Sequence, residues 1–119
     1  VGAPQGKLSA PQDAPVQVVG QAREAAACIG LDCMSDAGSI EVADQYAGEG
    51  FGLLDGPTKE AVQRVARTEG IVLDPTYSGK GFAGLMDYIR QGRLEKGEDV
   101  VFVHTGGTPL VFVYGDMLL

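Results

Sequence analysis

The stretch Glu69-Gly70-Ile71-Val72-Leu73-Asp74-Pro75-Thr76-Tyr77-Ser78-Gly79-Lys80-Gly81 decides how the chain is read. Ile71-Val72-Leu73 is short and uniformly apolar, the pattern of a strand covered on both faces. Asp74-Pro75 turns it, and Ser78 stands where the N-cap of a helix is expected. Downstream, Phe82, Leu85, Met86 and Ile89 recur at i, i+3, i+4 and i+7, so the spacing predicts a helix to about Gln91 with Gly92 as its stop. Leu94 to Asp99 is a charged turn, and Val100-Val101-Phe102-Val103 reads as a second strand. Strand, helix and strand make one β-α-β unit, whose two strands must be parallel.

A parallel sheet binds ligands beyond the carboxyl ends of its strands, near helix N-termini. That edge would carry Asp74 to Lys80 and a second loop, His104-Thr105-Gly106-Gly107. Ser78 and Thr105 each have two readings, a hydroxyl that caps a turn or one offered to a ligand. Gly106 and Gly107 allow either a tight turn or close approach of a ligand to the backbone. His104, the one histidine of the chain, is read first as packed and hydrogen-bonded, with acid–base work as its second reading. The loop has neither the G-x-G-x-x-G spacing nor the Walker lysine.

Upstream, Gly56-Pro57 opens a helix with Glu60 near its positive end and Ala61, Val62, Val65 and Ala66 as its buried stripe. From Gly20, Ala22, Ala25, Ala26 and Ile29 share a helical face, with Gly30 as terminator and Cys28 as a small core residue. Ile40 to Ala43 alternates weakly, as a short strand does. Tyr46-Ala47-Gly48-Glu49-Gly50-Phe51-Gly52 is too rich in glycine for either element; its rings line a pocket or pack on the domain edge. Residues 1–19, with Pro4, Pro11 and Pro15, are expected to be a poorly ordered leader, and residues 20–119 a partial α/β domain.

A chain of 119 residues is one domain, short for an enzyme that must enclose a cofactor. Its 16 acidic against 9 basic residues, with no basic cluster, argue against a nucleic-acid groove. No run approaches the roughly 18 apolar residues of a membrane span, and the first residues lack the charged start and apolar core of a signal peptide. Cys28 and Cys33, with a single histidine, make neither a zinc site nor a disulfide scaffold. No metal is expected, and free thiols place the chain in a reducing compartment, the cytoplasm.

With Thr68-Glu69-Gly70-Ile71 before it and His104-Thr105-Gly106-Gly107 after it, Asp74-Pro75-Thr76-Tyr77-Ser78-Gly79-Lys80 closely resembles the C-terminal part of a known family. These are the pyridoxal-phosphate-dependent D-cysteine desulfhydrases and 1-aminocyclopropane-1-carboxylate deaminases, of tryptophan-synthase-β-like fold. Asp44-Gln45-Tyr46-Ala47-Gly48-Glu49-Gly50-Phe51-Gly52 and Ala83-Gly84-Leu85 extend the resemblance, which runs from about Gln21 to Tyr114. It implies a partial three-layer parallel sheet with flanking helices, the C-terminal portion of a fold-type II enzyme. It also implies pyridoxal 5'-phosphate as cofactor, a small amino-acid substrate and a homodimer for the complete enzyme.

Residue by residue, the resemblance places Tyr77 near substrate and cofactor as a catalytic residue. It places Ser78 against the pyridine nitrogen, and Thr105 and Gly106 beside the cofactor. Phe51 takes a substrate-pocket position where the family usually has a second tyrosine, so this chain keeps the ring and loses the hydroxyl. A hydroxyl at Ser78, where the deaminases carry glutamate, favours a desulfhydrase-like lyase, a β-elimination of a D-amino acid to pyruvate, ammonia and hydrogen sulfide. The deaminase is the alternative, and a non-catalytic α/β fragment that acts only through association is another. Lys7, Lys59, Lys80 and Lys96 are the lysines of the chain, and none matches the cofactor-bearing lysine of the family.

Overall fold

The computed structural model describes residues 12–32 and 36–118. These fall into two compact units, one within Ser9–Asp44 and one containing Gln45–Leu119. Lys7, Cys33 and most of the expected leader lie outside the described residues.

The smaller unit holds helix α1, Ala14–Cys28, with a proline in its first turn. Proline has no amide hydrogen to lose there, and so Pro15 fits the start of a helix. The helix begins six residues before Gly20 and ends at Cys28, two residues short of Gly30 at φ 71°. Its described residues bury Val19 but leave Val16 and Ile29 exposed. A short 3-10 turn, Ala37–Ser39, follows, with the Asp36 side chain accepting from the Ser39 amide.

The larger unit is built on two helices. Helix α2, Gly56–Glu69, starts where the Asp55 carboxylate accepts the Thr58 amide at 2.8 Å, and stops at Gly70 in the left-handed conformation. Helix α3, Ser78–Arg90, packs along it. The helices approach closely at Gly79, where a Cβ would stand 2.8 Å from Val62 Cγ2 and 2.7 Å from the Asp74 carbonyl oxygen. Ala61, Ala83 and Met86 fill one side of the seam. Val62, Val65, Leu73 and Leu118 fill the other, with Phe82, Phe102, Val111 and Tyr114 packed around them. Phe82 and Phe102 meet edge to face with ring centroids 5.1 Å apart. A one-turn helix α4, Gly115–Leu118, closes this core, and Gln63 donates to the Leu118 carbonyl.

The described residues contain no strand, which overturns the expected three-layer parallel sheet and the β-α-β unit. Residues 71–74 and 98–107 carry no regular structure and no ladder. The Val72 carbonyl, which a sheet would pair with a neighbouring backbone N–H, instead accepts from His104 Nε2 at 3.1 Å and Thr108 Oγ1 at 3.3 Å. Leu73 is buried, but Ile71, Val72 and Val100 are exposed, and Val101 is 88% exposed. The physical reason is that an apolar run records a demand for burial, while a strand also needs a backbone partner at hydrogen-bonding distance. Side chains meet that need for Val72, and no described segment meets it for Val100 to Val103. Ile40 to Ala43 is likewise not a strand.

Candidate functional site

Asp74 is the centre of the turn that carries Tyr77. It is completely buried. Its Oδ1 accepts the amides of Thr76 and Tyr77, both at 2.8 Å, and its Oδ2 accepts the Ser78 amide at 2.8 Å and the Ser78 hydroxyl at 2.5 Å. Asp and Asn side chains commonly satisfy amides two or more residues on, which is why Asp-Pro-Thr-Tyr-Ser folds locally into this shape. Burial pushes the Asp74 carboxyl up, but the Ser78 hydroxyl and the three amides outweigh it and hold the group below its ordinary value. The helix cap expected of Ser78 is thus supplied by Asp74.

The loop of residues 46–52 is pinned around the start of α3. Tyr46 lies over Gly84, where a Cβ would be 2.9 Å from its ring, and donates its hydroxyl to Asp87 at 2.5 Å. The Lys80 ammonium is buried beneath the loop, donating to the carbonyls of Ala47 at 2.5 Å and Gly50 at 3.0 Å. Tyr114 donates to the Gly52 carbonyl at 2.6 Å. Gly48, at φ 76°, leaves the space that the ammonium needs, since a Cβ there would be 2.9 Å from Nζ. The loop thereby presents Phe51, whose ring meets that of Tyr77 edge to face at 5.8 Å. Both rings face solvent, Phe51 at 72% and Tyr77 at 59% exposure.

The loop of residues 104–107 abuts the same turn. Gly107, at φ 86°, lies so close that a Cβ would be 2.8 Å from Asp74 Cγ. His104 Nδ1 accepts the Gly106 amide at 3.0 Å while Nε2 faces the Val72 carbonyl. A carbonyl can only accept, so the pair of contacts assigns the neutral imidazole with its hydrogen on Nε2. His104 therefore ties two segments together.

The structure brings Tyr77, Phe51 and the Asp74 turn together and sets the 104–107 loop beside them. Three hydroxyl side chains differ sharply in what they have left to offer. Ser78 is 5% exposed, donates to Asp74 Oδ2 and accepts the Asp74 amide at 2.8 Å. Tyr77 and Thr105 are exposed, and within the described residues their hydroxyls have no hydrogen-bond partner. Gly106 is exposed, with its amide on His104. The sequence reading gave Asp74, Lys80 and Tyr114 no role. Asp74 had a signal, an Asx-turn composition ahead of a helix; Lys80 had a weaker one, a lysine between two glycines on the apolar side of a helix start.

A family model described as "pyridoxal-phosphate dependent enzyme" matches residues 3–106. The chain belongs to that family. It is similar to a 1-aminocyclopropane-1-carboxylate deaminase of Burkholderia ambifaria (strain MC40-6), at 34% identity over 107 residues, 90% of this chain and 32% of the relative. The family member thus spans about a third of the length of that relative.

Family membership does not carry the narrower expectations. The C-terminal part of a D-cysteine desulfhydrase or 1-aminocyclopropane-1-carboxylate deaminase, as expected, is a fold-type II sheet, and the described residues have no sheet. The lyase and deaminase readings both depend on its carboxyl edge and fall with it, as does the expected α/β fragment. Pyridoxal 5'-phosphate does not fit here as expected either. The sheet edge that would hold it is absent among the described residues, and the Ser78 hydroxyl meant for its ring nitrogen is spent on Asp74. Among the described residues no helix is long and apolar enough to cross a membrane.

Proposed function

We propose that this chain supplies an aromatic wall for a small amino-acid substrate, within a larger assembly that provides the remaining groups. The observation that carries the reading is the exposed Tyr77–Phe51 ring pair, with Tyr77 mounted on a turn that Asp74 holds from inside. Exposed rings on a flexible loop bind poorly, because ordering them costs conformational entropy. Here the backbone beneath both rings is already tied by buried hydrogen bonds, so little ordering remains.

Tyr77 is the catalytic candidate, the side chain that offers both an apolar face and an unpartnered hydroxyl to a bound molecule. Phe51 supplies pocket surface only. Thr105 offers a second hydroxyl in the adjoining loop, suited to a substrate carboxylate, and Gly106 leaves backbone open beside it. Ser78 contributes through Asp74, by fixing the turn. Homodimeric association and cytoplasmic residence belong to the same proposal. The exposed Val100, Val101 and Val103 support the first, and the free thiol of Cys28 supports the second.

Nuclear magnetic resonance titration of the chain with L-serine, D-serine and 1-aminocyclopropane-1-carboxylate tests the reading; the last is the compound named in the similar deaminase. The expected outcome is saturable shifts of the Phe51 and Tyr77 ring signals with at least one of them. These shifts are expected to be lost in Tyr77→Ala while the signals of α2 and α3 persist. Rings that stay unmoved at saturating concentrations of all three would remove the proposal.

A further inference from the structure

We infer that Lys80 and Tyr114 are positioning residues that bracket Phe51 and set its ring against Tyr77. This rests on the proposed amino-acid wall and adds the side chains that give the wall its shape. Lys80 donates to the carbonyl of Gly50, in the peptide unit that enters Phe51, and Tyr114 donates to the carbonyl of Gly52, one residue beyond Phe51. The loop is therefore held from within the protein in the peptide unit that enters Phe51 and again one residue beyond it.

A buried ammonium is costly unless its hydrogens find acceptors. Lys80 uses loop carbonyls for this, and its second bond, to Ala47, extends the hold to the start of the loop. The loop sequence is fitted to that arrangement. Gly48 adopts a positive φ directly over Nζ, where no other residue has room, and Gly50 is buried. Without Lys80, a run of residues as rich in glycine as this one has many backbone conformations available, and few of them place Phe51 at Tyr77. Tyr114 is a separate anchor, since its ring packs in the core and only its hydroxyl reaches the loop.

The experiment reads the ring pair and the ligand site separately. In a C28S/C33S background, Lys80→Cys is compared before and after aminoethylation, which restores an ammonium at nearly the original reach. The readouts are the Phe51–Tyr77 ring cross-peaks and the dissociation constants for L-serine, D-serine and 1-aminocyclopropane-1-carboxylate. The cross-peaks are expected to fall by more than half in K80C and to return on aminoethylation. Affinity for whichever of the three binds is expected to fall and return with them, by about tenfold. Tyr114→Phe, which deletes one hydroxyl and keeps the core ring, is expected to weaken the cross-peaks without changing the helical signal. That variant decides the matter if K80C loses its helices. Cross-peaks unchanged in the folded variants overturn the positioning role. Cross-peaks that follow the ammonium in a chain that binds none of L-serine, D-serine and 1-aminocyclopropane-1-carboxylate keep the positioning role and remove the amino-acid reading.

Discussion

Replacing Asp74 tests whether one buried carboxylate organises the site. Its two oxygens satisfy three backbone amides and one hydroxyl, all between 2.5 and 2.8 Å. In Asp74→Ala the amides of Thr76 and Ser78 lose their partner in buried positions, whereas that of Tyr77 lies where water can replace the oxygen. At ~1.5 kcal/mol for each buried, unsatisfied donor, the loss is about 3 kcal/mol. An ordinary helix cap is worth about 1 kcal/mol, so the two accounts separate cleanly. Asp74→Asn keeps one oxygen, which can stay on Thr76 and Tyr77, and turns its new N–H groups toward the Ser78 amide. One donor is stranded instead of two, and about half the loss is expected. Urea unfolding followed by far-ultraviolet circular dichroism measures both. A loss of about 1 kcal/mol or less in D74A would refute the reasoning.

The same carboxylate makes a pH prediction. Its folded pKa lies below the ordinary value, so the unfolded chain takes up the proton first. The stabilisation is complete above the ordinary aspartate range, near about 3.9, and drains away as pH falls toward the folded value. Glu60, held low by its hydrogen bond to Arg64 and by the charges of Arg64 and Arg90, contributes in the same direction. The difference between wild type and D74N isolates the Asp74 share: it is expected to be constant near neutrality and to shrink in acid. A difference that stays constant throughout would mean that Asp74 does not titrate as described.

Two further substitutions test the helical pair that supports the turn. Leu73→Ala removes a side chain that is 1% exposed and packed with Val62 and Val65, and is expected to cost about 3 kcal/mol in the same unfolding experiment. A value near zero would mean that this core is not formed. Gly79→Ala adds a methyl group where the Asp74 carbonyl and Val62 already stand under 3 Å away, and is expected to destabilise by about 1–3 kcal/mol although alanine is the better helix former. Stabilisation by Gly79→Ala would show that α2 and α3 lie further apart.

The helices were legible because their signals are local. Gly56-Pro57 marks the start of α2 and Ala61, Val62 and Val65 its buried stripe, and the structure begins the helix at Gly56 and ends it at Glu69. Phe82 and Met86 likewise place α3 against its neighbours, although Ile89, at the last position of the same stripe, is exposed. The strands failed because apolarity alone was used to infer pairing. Ile71-Val72-Leu73 and Val100 to Val103 have the composition of buried strands, yet nothing local in a sequence says whether a backbone partner is present. The site was half legible. Phe51 was singled out as a ring in a glycine-rich loop and Tyr77 through the resemblance, whereas Lys80 acts across 30 residues of sequence through carbonyls that carry no sequence signature.

The division of labour among the hydroxyls follows from where charge is buried. A carboxylate at Asp74 cannot remain charged inside the protein without several donors, and the chain supplies them from the next four residues, Ser78 included. Once Ser78 is committed in this way, it fixes the backbone at Tyr77 and leaves that side chain facing outward with its hydroxyl unused. The same logic holds on the other side of the ring pair, where burying the Lys80 ammonium consumes the carbonyls of Ala47 and Gly50 and leaves Phe51 on the surface. Two buried charges of opposite sign thus each fix one of the two exposed rings. Neutralising either charge is expected to disturb the ring pair before it disturbs the helices, because the hydrogen bonds it removes hold the turn and the loop rather than the α2–α3 seam.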